Sequence, residues 1–196
     1  MTVEAAADWL GRRLPLAYRL LRPPWRLLMR ALGRPLYWDA RRHHRYYREV
    51  VRLARKHVPQ GGRVIDVGAH EAELLRELDW FDVRLAVDTR YVMPRRGVDT
   101  LVADFRDYDI DEPFDLVLCL QVLEHLPDPE PFARKLLRSG RTAIVSVPYR
   151  WPADARDTHM HDPVDERKLR DWTGAEPVET CMVTDGRERL IAVYRA

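Results

Sequence analysis

The chain has 196 residues, the length of one α/β domain of ordinary size with a short appendage, and its 46% hydrophobic residues suffice for a sizeable core. No apolar run nears the ~20 residues of a membrane-spanning helix, and two distant cysteines, Cys119 and Cys181, exclude a disulfide scaffold and a cysteine-rich zinc site and suit a reducing, cytoplasmic compartment. The net charge of +2 conceals an asymmetry: residues 1–56 carry 14 Arg/Lys and 4 Asp/Glu, whereas residues 57–196 carry 19 and 27.

The basic head comes first in the chain. Leu10, Leu14, Leu20, Leu21, Trp25, Leu28 and Leu32 recur at spacings that fit one side of a helix, with arginines between them. Pro23-Pro24 divides the segment into two short helices, because proline lacks the backbone donor and restricts the residue before it. Arginines interrupt every apolar stretch and no small-residue cleavage site follows one, so the segment does not read as a secretory signal. Three roles stay open for it: a helical lid or homodimer-forming arm, a peripheral helix on an anionic membrane surface, or a contact to an anionic substrate such as nucleic acid. The last is the least favoured, since no nucleic-acid motif accompanies the charge.

Residues 37–58 read as a further helix with Tyr46, Val50, Leu53 and Ala54 as its core-facing stripe, stopped by Pro59-Gln60-Gly61-Gly62. From Arg63 the pattern alternates. Strands are expected at 63–68, 83–88, 99–104, 114–120 and 142–148, and helices at 70–80, 129–139 and 165–173. The run 114–120 is apolar nearly throughout, as in a strand covered on both faces. Strands at 177–185 and 189–196 close the chain around a tight Asp185-Gly186 turn. This alternation implies an α/β domain with a doubly wound, mostly parallel sheet, an antiparallel C-terminal hairpin and an N-terminal helical extension.

Three acidic residues stand at successive strand ends. Asp66 and Gly68 belong to VIDVGAHEAELL, a strand–loop–helix in which His70 and Ala72 hold the later glycine positions of a nucleotide-binding turn. Asp88 ends the second strand, where a carboxylate can accept both ribose hydroxyls, and Asp104-Phe105 end the third. With FDLVLCLQVLEHLPDP at 114–129, this arrangement closely resembles the class I S-adenosylmethionine (SAM)-dependent methyltransferases over about residues 45–195. The resemblance implies a Rossmann-like fold at 45–196 behind an extension or lid at 1–44, with SAM as cofactor. The residues it would set around SAM are Asp66, Gly68, Ala69 and His70 at the first turn, Asp88 and Thr89 at the ribose, Asp104 and Phe105 at the adenine, and Cys119, Leu120 and Gln121 under the methionine.

Some methyltransferase subgroups, among them ubiquinone-pathway and small-RNA 2′-O-methyltransferases, carry Glu-x-x-Glu-His after the fourth strand and bind a divalent cation with it. Here Gln121 stands for the first Glu, followed by Glu124 and His125, and THMHDP adds His159 and His161. Glu124, His125 and His161, or His159 in its place, are therefore the expected metal ligands, for Mg²⁺ or a cation that accepts imidazole more readily. His125, His159 and His161 are the candidates for taking the acceptor's proton. A metal-plus-histidine site points to an oxygen acceptor, with nitrogen and carbon left open. The segment after the fifth strand resembles methyltransferases of actinobacterial polysaccharide and glycolipid clusters, in particular methylmannose-polysaccharide O-methyltransferases, which implies a small-molecule or oligosaccharide acceptor. Tyr149, Arg150 and Trp151 are its expected contacts, with Arg156 also able to bind its hydroxyls, while Trp172 is expected in the core. A quinone, phenolic or RNA 2′-hydroxyl acceptor, and a non-catalytic SAM-binding partner acting through the basic arm, remain as alternatives.

Overall fold

A computed structural model of the protein describes residues 44–70, 72–90, 92, 95–153 and 155–196. The two short helices expected within the 1–44 extension lie outside the described residues.

The chain forms α1 (Arg45–His57), β1 (Arg63–Val67), α2 (Glu73–Arg76), β2 (Val83–Asp88), β3 (Asp99–Val102) and β4 (Phe114–Leu120). A 3-10 turn at Leu123–His125, α3 (Pro129–Arg138), β5 (Gly140–Pro148), α4 (Glu166–Thr173), β6 (Glu179–Asp185) and β7 (Arg187–Arg195) follow. The strands make one seven-stranded sheet in the order β3-β2-β1-β4-β5-β7-β6. Neighbours from β3 to β5 run parallel, and β7 lies antiparallel between β5 and β6.

Alternation along the central strands builds two cores. Val64, Leu116, Leu118 and Ile144 face the helix side formed by α1 and α2, where Tyr46, Val50, Leu53, Ala54, Leu74 and Leu75 are buried. Ile65, Val67, Val117, Cys119 and Val145 face α3 and α4, with Phe132, Leu136, Leu169 and Trp172. β4 is thus covered on both faces, as its apolar run requires.

The helix ends have specific caps. Asp165 accepts the Lys168 N–H at 2.9 Å at the start of α4, and Gly174 ends that helix in the left-handed region at φ 66°. At the start of α1, His44 makes no side-chain cap bond. The Asp185 carboxylate at the β6–β7 turn takes over, accepting the N–H groups of Tyr46 (2.8 Å) and Arg45 (3.2 Å).

One expected element shrinks. The helix expected over 70–80 is a single turn, Glu73–Arg76, with no side-chain cap at Ala72. The chain beyond it is drawn back to the sheet: Trp80 Nε1 donates to the Val58 carbonyl at 3.0 Å, and Asp82 N donates to Gly62 O at 2.9 Å. Among the described residues no helix is long and apolar enough to cross a membrane.

The sheet order reverses between β1 and β4, and a crevice opens there at the carboxyl ends of the strands, the place where doubly wound sheets bind ligands.

Candidate active site

A cavity of about 740 Å³ occupies that crevice. Its first wall is the turn after β1. Gly68 has φ 78°, and a Cβ there would run into the Val122 side chain, so both backbone conformation and close approach demand glycine. His70 also has positive φ, 48°, and its N–H donates to Asp88 Oδ2 at 2.9 Å. Asp88 Oδ1 accepts the Arg90 N–H at 2.9 Å, so this one carboxylate ties the first loop to the second while facing the cavity.

Asp104 lies farther along the same wall. Arg106 grips it from two nitrogens, Nε at 3.0 Å and Nη2 at 2.5 Å, which holds its carboxyl below the usual range. Phe105 borders the cavity with its ring against Phe132, 5.5 Å between centroids. Leu120 and Gln121 form the opposite wall, Gln121 with φ 58° and its amide toward Ser146 Oγ at 3.3 Å. Thr89 also lines the cavity. Three residues expected at the cofactor lie behind the wall instead. Ala69 packs on the core, and Cys119 is fully buried in β4, facing the α3 side of the sheet. Asp66 is buried under the β1 end, where desolvation and then the nearby Asp88 raise its pKa to about 7.

A second cavity, about 240 Å³, adjoins the first and shares Tyr46, Gln121, His125 and Thr158 with it. Glu124 is 0% exposed on its wall, and neither carboxylate oxygen has a hydrogen-bond partner. Burial raises its pKa to about 8. His125 Nδ1–H donates to the Thr158 carbonyl at 3.0 Å, which leaves Nε2 as the lone-pair nitrogen. Burial also lowers the His125 pKa, so the ring is neutral. His159 Nδ1 bonds Asp162 Oδ2 at 2.6 Å. The two imidazoles meet edge to face at 4.7 Å.

Glu124, His125 and His159 bring one ligand-capable atom each within 4.8 Å of one another. The expected trio had His161, or His159 in its place, as third member, and of the two it is His159 that stands beside Glu124 and His125. His161 Nε2–H donates to the Leu126 carbonyl at 2.7 Å, and its ring lies edge-on to Trp172, so it braces the loop against α4.

The expected acceptor contacts change as well. Tyr149 and Arg150 border neither cavity: the Arg150 guanidinium lies over the Tyr149 ring, and the Arg150 backbone N–H donates to Val164 O. Trp151 is a packed wall of the smaller cavity rather than an exposed platform. Its Nε1 donates to Glu188 O at 2.6 Å and its ring stacks on His159 at 5.7 Å. Trp172 is buried, as expected.

Several residues at the site had no role assigned from sequence. Tyr46, read only as core stripe, reaches both cavities and bonds Ser146 Oγ through its hydroxyl at 2.5 Å. Arg189 lines the smaller cavity beside Arg156, the one of these already expected at the acceptor, and Asp162 holds His159. Asp162 carried a signal, the HMHDP run itself, because an Asp three residues from a His can orient its ring.

The strand order and the parallel-then-antiparallel sheet are those of the class I SAM-dependent methyltransferases. A family model described as a methyltransferase domain matches residues 37–189, and the chain belongs to that family. Among solved structures, the chain is similar to Burkholderia thailandensis 1,6-didemethyltoxoflavin-N1-methyltransferase with bound 1,6-didemethyltoxoflavin and S-adenosylhomocysteine (TM-score 0.63, 17% identity, covering 92% of this chain and 89% of that one). It is also similar to the N-methyltransferase NodS from Bradyrhizobium japonicum with S-adenosylhomocysteine (TM-score 0.60, 17% identity, 78% and 88% covered). A third is the N-terminal domain of EvdMO1 in the presence of S-adenosylhomocysteine and D-fucose (TM-score 0.56, 18% identity, 79% and 84% covered). None of the curated proteins matches the sequence.

Proposed function

We propose that the protein transfers a methyl group from SAM to a hydroxyl of a small, sugar-like acceptor. The observation that carries the reading is the meeting of two cavities at Gln121, His125 and Thr158, with an imidazole pair at the junction. The larger cavity takes SAM. Asp88 accepts the ribose hydroxyls, Asp104 receives the adenine amine once Arg106 yields, Phe105 covers the base, and Leu120 and Gln121 flank the methionine. The presence of S-adenosylhomocysteine in the three similar structures supports this.

The smaller cavity takes the acceptor. SAM supplies an already activated methyl, so the protein has only to align an acceptor oxygen with it and remove one proton. His159 suits the proton: Asp162 holds its Nδ1–H and turns Nε2 outward as a base. The Asp162 charge also stabilises the imidazolium that forms. His125 orients alongside, fixed by Thr158. The EvdMO1 domain studied with D-fucose favours a sugar among oxygen acceptors.

A divalent cation fits the same wall. Glu124 offers two unpartnered buried oxygens, and both imidazoles have a nitrogen uncommitted to the backbone. Asp162 behind His159 is the outer partner that ligating histidines commonly have. Such an ion, held by Glu124, His125 and His159, would lower the pKa of a hydroxyl beside it in place of the base, since His159 Nε2 then binds the ion and no longer takes a proton.

The test is methyl transfer from labelled SAM to mannosides, other sugars, quinone precursors and RNA, with Mn²⁺ or Mg²⁺ and with EDTA. Label in the sugars, reduced at least tenfold by Asp162→Asn, is expected. Label only in RNA overturns the sugar reading, and full activity in EDTA together with full activity of Glu124→Ala overturns the metal.

A further inference from the structure

The smaller cavity holds two guanidinium groups that, among the described residues, form no ion pair. Arg156 and Arg189 both line it. Among the described residues neither forms an ion pair: Arg189 donates to the carbonyls of Arg187 at 3.2 Å and Asp185 at 3.5 Å, and no carboxylate approaches Arg156.

The nearby acids face other partners, and Glu124, fully buried on the same wall, makes no ion pair with either guanidinium. Asp162 is bonded to His159, and Asp185 caps α1. Arg189 is also preorganised: its guanidinium lies 5.4 Å over the Trp151 ring and 5.5 Å over the Tyr46 ring, with Arg187 at 4.9 Å on the same indole. Trp151 in turn stacks on His159. One buried aromatic ring therefore sets the cation and the base at fixed separation on the wall of the same pocket.

Guanidinium groups present their donors as a planar fork that matches a carboxylate or phosphate. Two of them unpaired in a concave site attract an anion more strongly than on open surface. A neutral acceptor would leave both charges without a counter-charge in the pocket.

We infer that the acceptor is a hydroxylated ring bearing an acidic group, carboxylate or phosphate, which Arg189 and Arg156 hold while the neighbouring hydroxyl faces His125 and His159. A 240 Å³ cavity has room for one ring-sized group, so the acid belongs to that ring or to its immediate substituent. The inference rests on the reading of this cavity as the acceptor pocket.

The experiment is a calorimetric titration of the full-length protein, saturated with S-adenosylhomocysteine, by glucuronate, glucose 6-phosphate and glucose. The charged probes are expected to bind saturably and about tenfold or more tighter than glucose, with affinity falling as salt is raised. Arg189→Gln and Arg156→Gln should each weaken the charged probes about tenfold while leaving S-adenosylhomocysteine binding unchanged. Arg156 is exposed, so its variant reads out even if the β7 variant is poorly folded. Glucose binding as tightly as the charged probes, no saturable binding of either anion, or charged-probe affinities unmoved in both variants overturns the inference. Failure of S-adenosylhomocysteine itself to bind is a different result, which removes the methyltransferase reading beneath it.

Discussion

Glu124 is a carboxyl in an unusual position: fully buried, on a cavity wall, with no donor to either oxygen. An isolated buried carboxylate is strongly disfavoured, so the group keeps its proton. Its folded pKa, about 8, lies far above the 4.5 of a free glutamate. Between those values the native state binds a proton that the unfolded chain has lost, and stability falls as pH rises, by up to about 1.4 kcal/mol per pH unit. Glu124→Gln removes that dependence at nearly constant shape. In EDTA, the melting temperatures of the two proteins should coincide near pH 4 and diverge up to pH 8, with the variant the more stable. Asp66, raised to about 7, acts equally in both and cancels. Curves that run parallel across this range would contradict the account. The carboxylates at strand ends, Asp88 and Asp104, were legible because their place depends only on strand ends. The choice between His159 and His161 was not. Both stand in one loop, and only its folded path puts Asp162 behind one ring and the Leu126 carbonyl before the other.

At the scale of elements, local pattern and tertiary contact divide the work. The stripe of α1 and the continuous run of β4 were readable because burial periodicity belongs to each segment alone. The shortening of the helix after β1 was not, since it depends on Trp80 finding Val58 and on Asp82 finding Gly62. The cap on α1 is of the same kind: Asp185 is 139 residues from Tyr46 in sequence. That cap matters to the site, because the first turn of α1 carries Tyr46 to both cavities. Asp185→Ala leaves two N–H groups of the first turn without their acceptor and should destabilise the protein by about 1 kcal/mol. With a chain of this size, that is a loss of roughly 2–4 °C in melting temperature, measurable by circular dichroism. An unchanged melting temperature would mean that water replaces the carboxylate without loss.

For the whole molecule, the sheet order places both cavities at the carboxyl ends of the parallel strands. Reversal between β1 and β4 opens the cleft, and the antiparallel β7 beside β5 brings Arg189 to the smaller cavity. The alternation of strands and helices made the parallel sheet readable, but not that the terminal hairpin would supply a wall of the site. The basic extension at 1–44, with 9 Arg against 3 Asp/Glu, lies almost wholly outside the described residues. The central claim concerns the larger cavity, and calorimetric titration with S-adenosylhomocysteine tests it most directly. The account predicts one site per chain, with affinity reduced at least tenfold in Asp88→Ala, as expected for losing hydrogen bonds to a charged acceptor. No binding by the wild-type protein, or equal binding by the variant, would contradict it.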